Sequence, residues 1–177
     1  MHPTIEQRWP LPASYADNLK KVRKLLDKRG VAVTAFSHYG FVVPDVRDAL
    51  AWLAEHVDSA WGDVPVEWGE AFGCEISRRT EPVPGGDALG GAGGVEFEFI
   101  EPQRDSFLKA HLDAHGQGVQ HLSFNVADLG AALAALAKEM IAPITPEPVY
   151  AGLHGQIAFV RPQTVTPLCV ELCEPCH

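Results

Sequence analysis

The stretch Phe36-Ser37-His38-Tyr39-Gly40-Phe41-Val42-Val43-Pro44-Asp45 recurs 83 residues later as Val119-Gln120-His121-Leu122-Ser123-Phe124-Asn125-Val126-Ala127-Asp128. At that offset His38 falls on His121, Phe41 on Phe124, Val43 on Val126 and Asp45 on Asp128. The match runs on through Ala49/Ala132, Leu50/Leu133, Leu53/Leu136 and Ala54/Ala137. A second correspondence follows at an offset of 73. It sets Val95-Glu96-Phe97-Glu98-Phe99-Ile100-Glu101-Pro102 against Leu168-Cys169-Val170-Glu171-Leu172-Cys173-Glu174-Pro175, with Glu98 on Glu171 and Glu-x-x-Glu-Pro in both. Repetition of this kind marks one supersecondary unit used twice. A glycine-rich stretch at 84–94 accounts for the extra length of the first copy. No Gly-Lys-Ser/Thr follows it, so it reads as a loop rather than a phosphate cradle.

Each copy predicts the same run of elements. An alternating apolar strand carries the His, an aspartate caps a helix rich in Ala and Leu, short strands follow, and the last strand carries the Glu. The expected spans are 34–43, 45–57, 66–79 and 95–101 in the first copy. In the second they are 118–126, 128–139, 147–150, 155–160 and 167–173. The class is α+β, with two copies paired around a shared cleft. Ahead of them, residues 13–29 predict an amphipathic helix ended by Gly30, preceded by a proline-rich arm. The expected division is 1–33 arm and helix, 34–110 first module, 111–177 second module, the two modules together forming one domain.

Side chains on a strand alternate between faces. Parity therefore groups His38 with Phe36, Gly40 and Val42, and Glu98 with Glu96 and Ile100. It groups His121 with Val119, Ser123 and Asn125, and Glu171 with Cys169 and Cys173. Phe97/Phe99 and Leu168/Val170/Leu172 point the other way, toward the helices. The His and Glu residues are thus expected together on the concave face. A Glu in an apolar strand is costly to bury unless it is paired, hydrogen-bonded or bound to a metal. Two imidazoles and two carboxylates at duplicated positions suit a divalent transition metal, with up to two coordination positions left over. The expected ligands are His38, Glu98, His121 and Glu171, and the ion Zn, Co, Ni, Mn or Fe.

Composition narrows the function classes. A formal net charge of −9 opposes a nucleic-acid surface. The basic run Lys20-Lys21-Val22-Arg23-Lys24 reads as a solvated helix face. No apolar run is long enough to span a membrane, and the N-terminus lacks a signal-peptide pattern, so a cytoplasmic protein is expected. Cys169, Cys173 and Cys176, followed by His177, do not match a paired-cysteine zinc arrangement.

These residues resemble the vicinal-oxygen-chelate superfamily, which includes glyoxalase I, extradiol dioxygenases and bleomycin-resistance proteins, and most of all its methylmalonyl-CoA epimerases. The likeness is carried by His38-Tyr39-Gly40-Phe41-Val42-Val43-Pro44-Asp45, by Glu98-Phe99-Ile100-Glu101-Pro102, by Gly118-Val119-Gln120-His121 and by His154-Gly155-Gln156-Ile157-Ala158-Phe159-Val160. It covers roughly residues 34 to 175. It implies two tandem βαβββ modules in a curved, barrel-like mixed sheet around a metal held by His38, Glu98, His121 and Glu171. It also implies a small-molecule substrate, an acyl-CoA among the candidates, and a homodimer. Gly73-Cys74-Glu75-Ile76 resembles the segment that carries the family's base and nominates Glu75, with Glu171 as a second catalytic carboxylate. Ser123, Asn125, Gln120 and Arg161 are the expected substrate contacts. Gln120 and Arg161-Pro162 depart from the family's pattern, which has His and His-Pro there. The implied chemistry is metal-assisted proton abstraction next to a carbonyl or thioester. Glyoxalase I-like isomerisation and metal-free binding of a small molecule are the alternatives. Extradiol dioxygenation fits less well, because Glu98 would be a fourth protein ligand.

Overall fold

The computed structural model describes residues 15–81, 94–145 and 147–176, so the proline-rich arm and most of the glycine-rich stretch lie outside the described residues. The chain begins with α1 (Tyr15–Lys28), then β1 (Val33–Val42), α2 (Val46–His56), a 3-10 turn, β2 (Glu67–Gly69), β3 (Cys74–Glu81) and β4 (Val95–Pro102). After α3 (Phe107–His115) the second copy follows as β5 (Gly118–Val126), α4 (Leu129–Ala137), β6 (Val149–Tyr150), β7 (Gln156–Val160) and β8 (Cys169–Glu174).

The aspartates of the repeat cap the helices. Asp45 accepts from the Asp48 N–H at 2.9 Å and Asp128 from the Ala131 N–H at 2.7 Å. The second Glu of each Glu-x-x-Glu-Pro adds to this. Glu101 accepts from the Val46 N–H at 2.9 Å and Glu174 from the Leu129 N–H at 2.7 Å. Three residues apart on a strand, the two glutamates of the motif face opposite sides. One goes to the concave face and the other to the positive end of its own module's helix, where an anion is favoured.

The strands form one eight-stranded sheet in the order β2-β3-β4-β1-β5-β8-β7-β6, curled into a half-barrel of two βαβββ halves. In each half the first and last strands are parallel, β1 with β4 and β5 with β8, and the halves meet where β1 and β5 pair antiparallel. The helix-side core joins Val46, Ala49, Leu50 and Leu53 of α2 and Leu129, Ala132 and Leu136 of α4 to Phe41, Phe99, Phe124 and Leu172 of the sheet. Leu19, Val22 and Leu26 of α1 are buried in that same core, so this helix is not a loose appendage. Burying each such side chain stabilises by about 1.5–3 kcal/mol.

Three features differ from the sequence reading. The span 66–79 is two strands broken by a turn at 70–73, and α3, which the repeat does not predict, connects the copies, so a boundary at 110/111 falls inside a helix. Strict alternation also fails between β1 and β5, whose register shifts at three places, two of them beside the histidines. The register steps from Phe36/Phe124 to Tyr39/Leu122, and from Gly40/His121 to Phe41/Val119. An extra residue resets the parity. Phe36 and Val119 therefore pack with the helix-side core instead of sharing the face of His38 and His121.

Candidate metal centre

The bulges also put two consecutive side chains on the concave side. Ser37 Oγ lies 3.0 Å from His38 Nδ1, and Gln120 Oε1 lies 2.8 Å from His121 Nδ1. Gln120 Oε1 can only accept, so His121 carries its proton on Nδ1 and leaves the Nε2 lone pair free. Ser37 and Gln120 are separated by the same 83 residues as the histidines they hold. The repeat thus duplicates the orienting neighbour as well as the imidazole.

Both Nε2 atoms turn to one point, 3.2 Å from each other. Glu171 Oε2 is 3.0 Å from His38 Nε2 and 3.6 Å from His121 Nε2, and Glu98 Oε2 is 3.5 Å from each. Atoms about 2.1 Å from one ion are roughly 3.0 Å apart at right angles and roughly 3.4 Å apart in a tetrahedron. The separations from the two imidazoles, 3.0–3.6 Å, lie close to that range. All four residues are buried, and Glu171 Oε2 has no hydrogen-bond partner. Burial alone would lower the His38 pKa, but the Glu98 and Glu171 carboxylates reverse this and raise it to about 10. Burial would raise the carboxyl groups, but His38 and His121, joined at Glu98 by Arg78, hold Glu98 well below the usual carboxylate range and Glu171 at about 2. The cluster is built for a positive charge at its centre, and His38, His121 and Glu171 form a group that could hold a metal ion.

Gly40 makes this possible. It is paired with His121 on one side and with Glu98 on the other, and a Cβ there would stand 1.9 Å from the His121 ring. Ser123, at the same repeat offset, is the small residue paired with Glu171.

The two carboxylates differ in their other neighbour. Arg78 pairs with Glu98 across β3–β4 and donates to its Oε1 at 2.7 Å, whereas Glu171 faces Phe159 across β7–β8. A cavity of about 460 Å³ opens over this floor, lined by Glu98, Glu171, Arg78, His154, Phe72 and Tyr150 among others. The carboxylates face it, with the imidazoles behind them. His154, quoted in the sequence only as part of a motif, sets its ring 4.9 Å from that of His38 at a tilt of 51° and brings its Nε2 to 3.8 Å from Glu96. Its ring nitrogen and the Glu96 oxygen are both buried without a hydrogen bond. Burial, with the charge of His38, lowers the His154 pKa.

Other expected residues stand elsewhere. Glu75 alternates out of the cavity, since Cys74, Ile76 and Arg78 face it. The Glu75 carboxylate is clasped by both Arg47 guanidinium nitrogens of α2, and the geometry does not bring it to the cluster. Ser123 is fully buried against Cys173 Sγ at 3.2 Å, and Gln120 is committed to His121. Asn125 and Arg161 do not line this cavity. Cys169 and Cys173 are buried thiols, and no disulfide occurs among the described residues.

Fold and site together define a member of a family built on paired modules: residues 37–159 match the model of the glyoxalase/bleomycin resistance protein/dioxygenase superfamily, and the chain belongs to it. Among curated proteins it is 36% identical over 85 residues to YqjC of Bacillus subtilis (strain 168), a match covering 48% of this chain and 61% of that protein. The chain thus spans about three fifths of the length of that relative. Its solved structural neighbours include methylmalonyl-CoA epimerases. The Mycobacterium tuberculosis enzyme is 22% identical, with a TM-score of 0.63 over 83% of this chain and 91% of that one. A Streptomyces coelicolor epimerase in complex with 2-nitronate-propionyl-CoA is 20% identical, with a TM-score of 0.66 over 82% and 100%. At these identities the likeness is one of fold. Among the described residues no helix is long and apolar enough to cross a membrane.

Proposed function

We propose that this protein is a metal-dependent enzyme that moves a proton on a carbon next to a carbonyl or thioester. The observation that carries the reading is the convergence of four donor atoms on one point at the floor of a cavity. His38, Glu98, His121 and Glu171 would hold a divalent ion there. When bound, it supplies an electrophile that polarises substrate oxygens and stabilises an enolate, worth several kcal/mol.

The rest falls to the chain's own groups. Gln120 and Ser37 keep the imidazoles aligned. Arg78 ties down one oxygen of Glu98 and fixes it as a ligand. Glu171 has an apolar cross-strand neighbour, is open to the cavity and has no guanidinium tied to it, so it is the carboxylate freer to take the substrate proton. The apolar wall of Phe72, Ile157 and Phe159 excludes water from a carbanion-like intermediate. An acyl-CoA of the methylmalonyl type fits this chemistry and is the substrate class we assign.

The test is solvent deuterium incorporation at the α-carbon of methylmalonyl-CoA, with metal content measured on the same sample. Metal-dependent exchange that disappears in Glu171→Ala supports the assignment. A protein that neither retains nor takes up Zn, Co, Ni, Mn or Fe would sink it.

A further inference from the structure

A second concavity, of about 490 Å³, lies between α3 and the segment joining β7 to β8. Its polar lining is His111, His115, Arg161, Gln163 and the Cys169 thiol, set in a wall that includes Phe107, Ile144 and Pro167. No lining residue is acidic, although the chain carries a net charge of −9. His111 and His115 stand one helical turn apart with ring centroids 4.7 Å from each other. Among the described residues Arg161 makes no ion pair, and its Nη2 contacts only the Cys169 thiol, at 3.7 Å. The groups that bear on His111 are its own burial, then His115, Arg161 and His121, all opposing its protonation, which brings its pKa down to about 4.

A guanidinium with no carboxylate near it, flanked by two imidazoles that can each donate an N–H, forms a site of unbalanced positive potential. An oxyanion supplies what is missing: it can accept a bidentate pair from arginine and a hydrogen bond from an N–H of each imidazole. We infer that His111, His115 and Arg161 form a binding site for a phosphate or carboxylate group. Phe107 and Phe159, in contact at 4.8 Å between centroids, separate it from the cavity over the metal cluster. Two sources share this chemistry: a free inorganic anion, or a phosphate on the tail of a ligand that occupies the metal-site cavity. The site stands whichever reaction the cluster performs.

The experiment is isothermal titration of the full chain at neutral pH and low chloride, with inorganic phosphate and with coenzyme A as probes. Saturable phosphate binding is expected, weakened by about tenfold or more in Arg161→Gln and in His111→Gln. Binding is unchanged in Lys21→Gln/Lys24→Gln, which alters the basic face of α1. Proton uptake accompanies it as His111 is driven to its charged form, seen as a binding heat that varies with the buffer's ionisation enthalpy. Coenzyme A binding more tightly than phosphate, and losing as much in Arg161→Gln, marks the anion as a ligand's tail. Coenzyme A no tighter than phosphate marks a free anion. Phosphate and coenzyme A both weaker than about 1 mM in the wild type, or binding untouched by both single substitutions, overturns the site.

Discussion

Gly40→Ala tests the metal centre without removing a donor. The new methyl would stand 1.9 Å from His121 Cε1, 2.2 Å from Nε2 and 2.4 Å from Nδ1, where ordinary contact is 3.4–4 Å. The ring must therefore give way by about 1.5 Å, against a tolerance of about 0.2 Å for a metal–ligand distance. Its retreat also breaks the hydrogen bond from Nδ1 to Gln120 that fixes the ring. Disturbing an orienting neighbour alone typically costs 10–100-fold in metal affinity, so displacing the ligand itself should cost at least about 100-fold. Overpacking adds about 1–3 kcal/mol of destabilisation, which lowers Tm by roughly 2–4 °C per kcal/mol in a chain of this size. The assay is titration with Co²⁺, followed by its visible absorption and by calorimetry. Gly62→Ala, where an added Cβ meets only Ala54 at an ordinary 3.5 Å, is the control. A folded Gly40→Ala protein that binds Co²⁺ like the wild type, with the same spectrum, refutes the placement of the His121 ring.

Three further outcomes are expected. Ser37→Ala and Gln120→Leu each lower Co²⁺ affinity by about 10–100-fold, and unchanged titrations would mean that the Nδ1 contacts do not set the ligands. Glu75→Gln leaves α-carbon exchange within about twofold of wild type, because Glu75 faces α2; a large loss would return it to the reaction. Stability falls as pH drops from about 6.5 toward about 4, since the depressed His111 pKa makes the unfolded chain bind more protons across that window. Urea midpoints should decline less in His111→Gln, and parallel declines would assign the pH effect to other groups.

How much was legible in the sequence depended on whether a feature was repeated. The α+β class, the paired modules and the helix caps at Asp45 and Asp128 all follow from residues present twice. So does the choice of His38, Glu98, His121 and Glu171 as one set. What went astray was unrepeated or depended on exact alternation. Phe36 and Val119 were placed on the wrong face because a bulge inserts a residue, and periodicity within one strand carries no sign of its partner's register. Glu75 rested on four residues of likeness, and the turn at 70–73 that decides the facing of β3 was not foreseen. His154 has no counterpart in the repeat. The offset did contain one unread signal: Ser37 and Gln120, both polar, each directly precede a ligand histidine.

The duplicated site is symmetric in its donors and asymmetric in what stands behind them, and that asymmetry divides the labour. Removing charge from Glu98 leaves the mostly buried Arg78 guanidinium with only the exposed Glu67, at 4.0 Å, as its ion-pair partner, a field that opposes a cation. Removing charge from Glu171 leaves no guanidinium behind, since its cross-strand neighbours are Ser123 and Phe159. Glu98→Gln should therefore lose metal affinity by the larger factor, about tenfold beyond Glu171→Gln, which corresponds to about 1.4 kcal/mol. Glu171→Gln should keep more of its metal and still lose α-carbon exchange, because the amide cannot accept the proton. Metal titration and exchange rates on the two variants separate the roles. Equal losses of metal and of exchange in both would mean that the pseudo-symmetry extends to function, and that Arg78 only fills space beside the site.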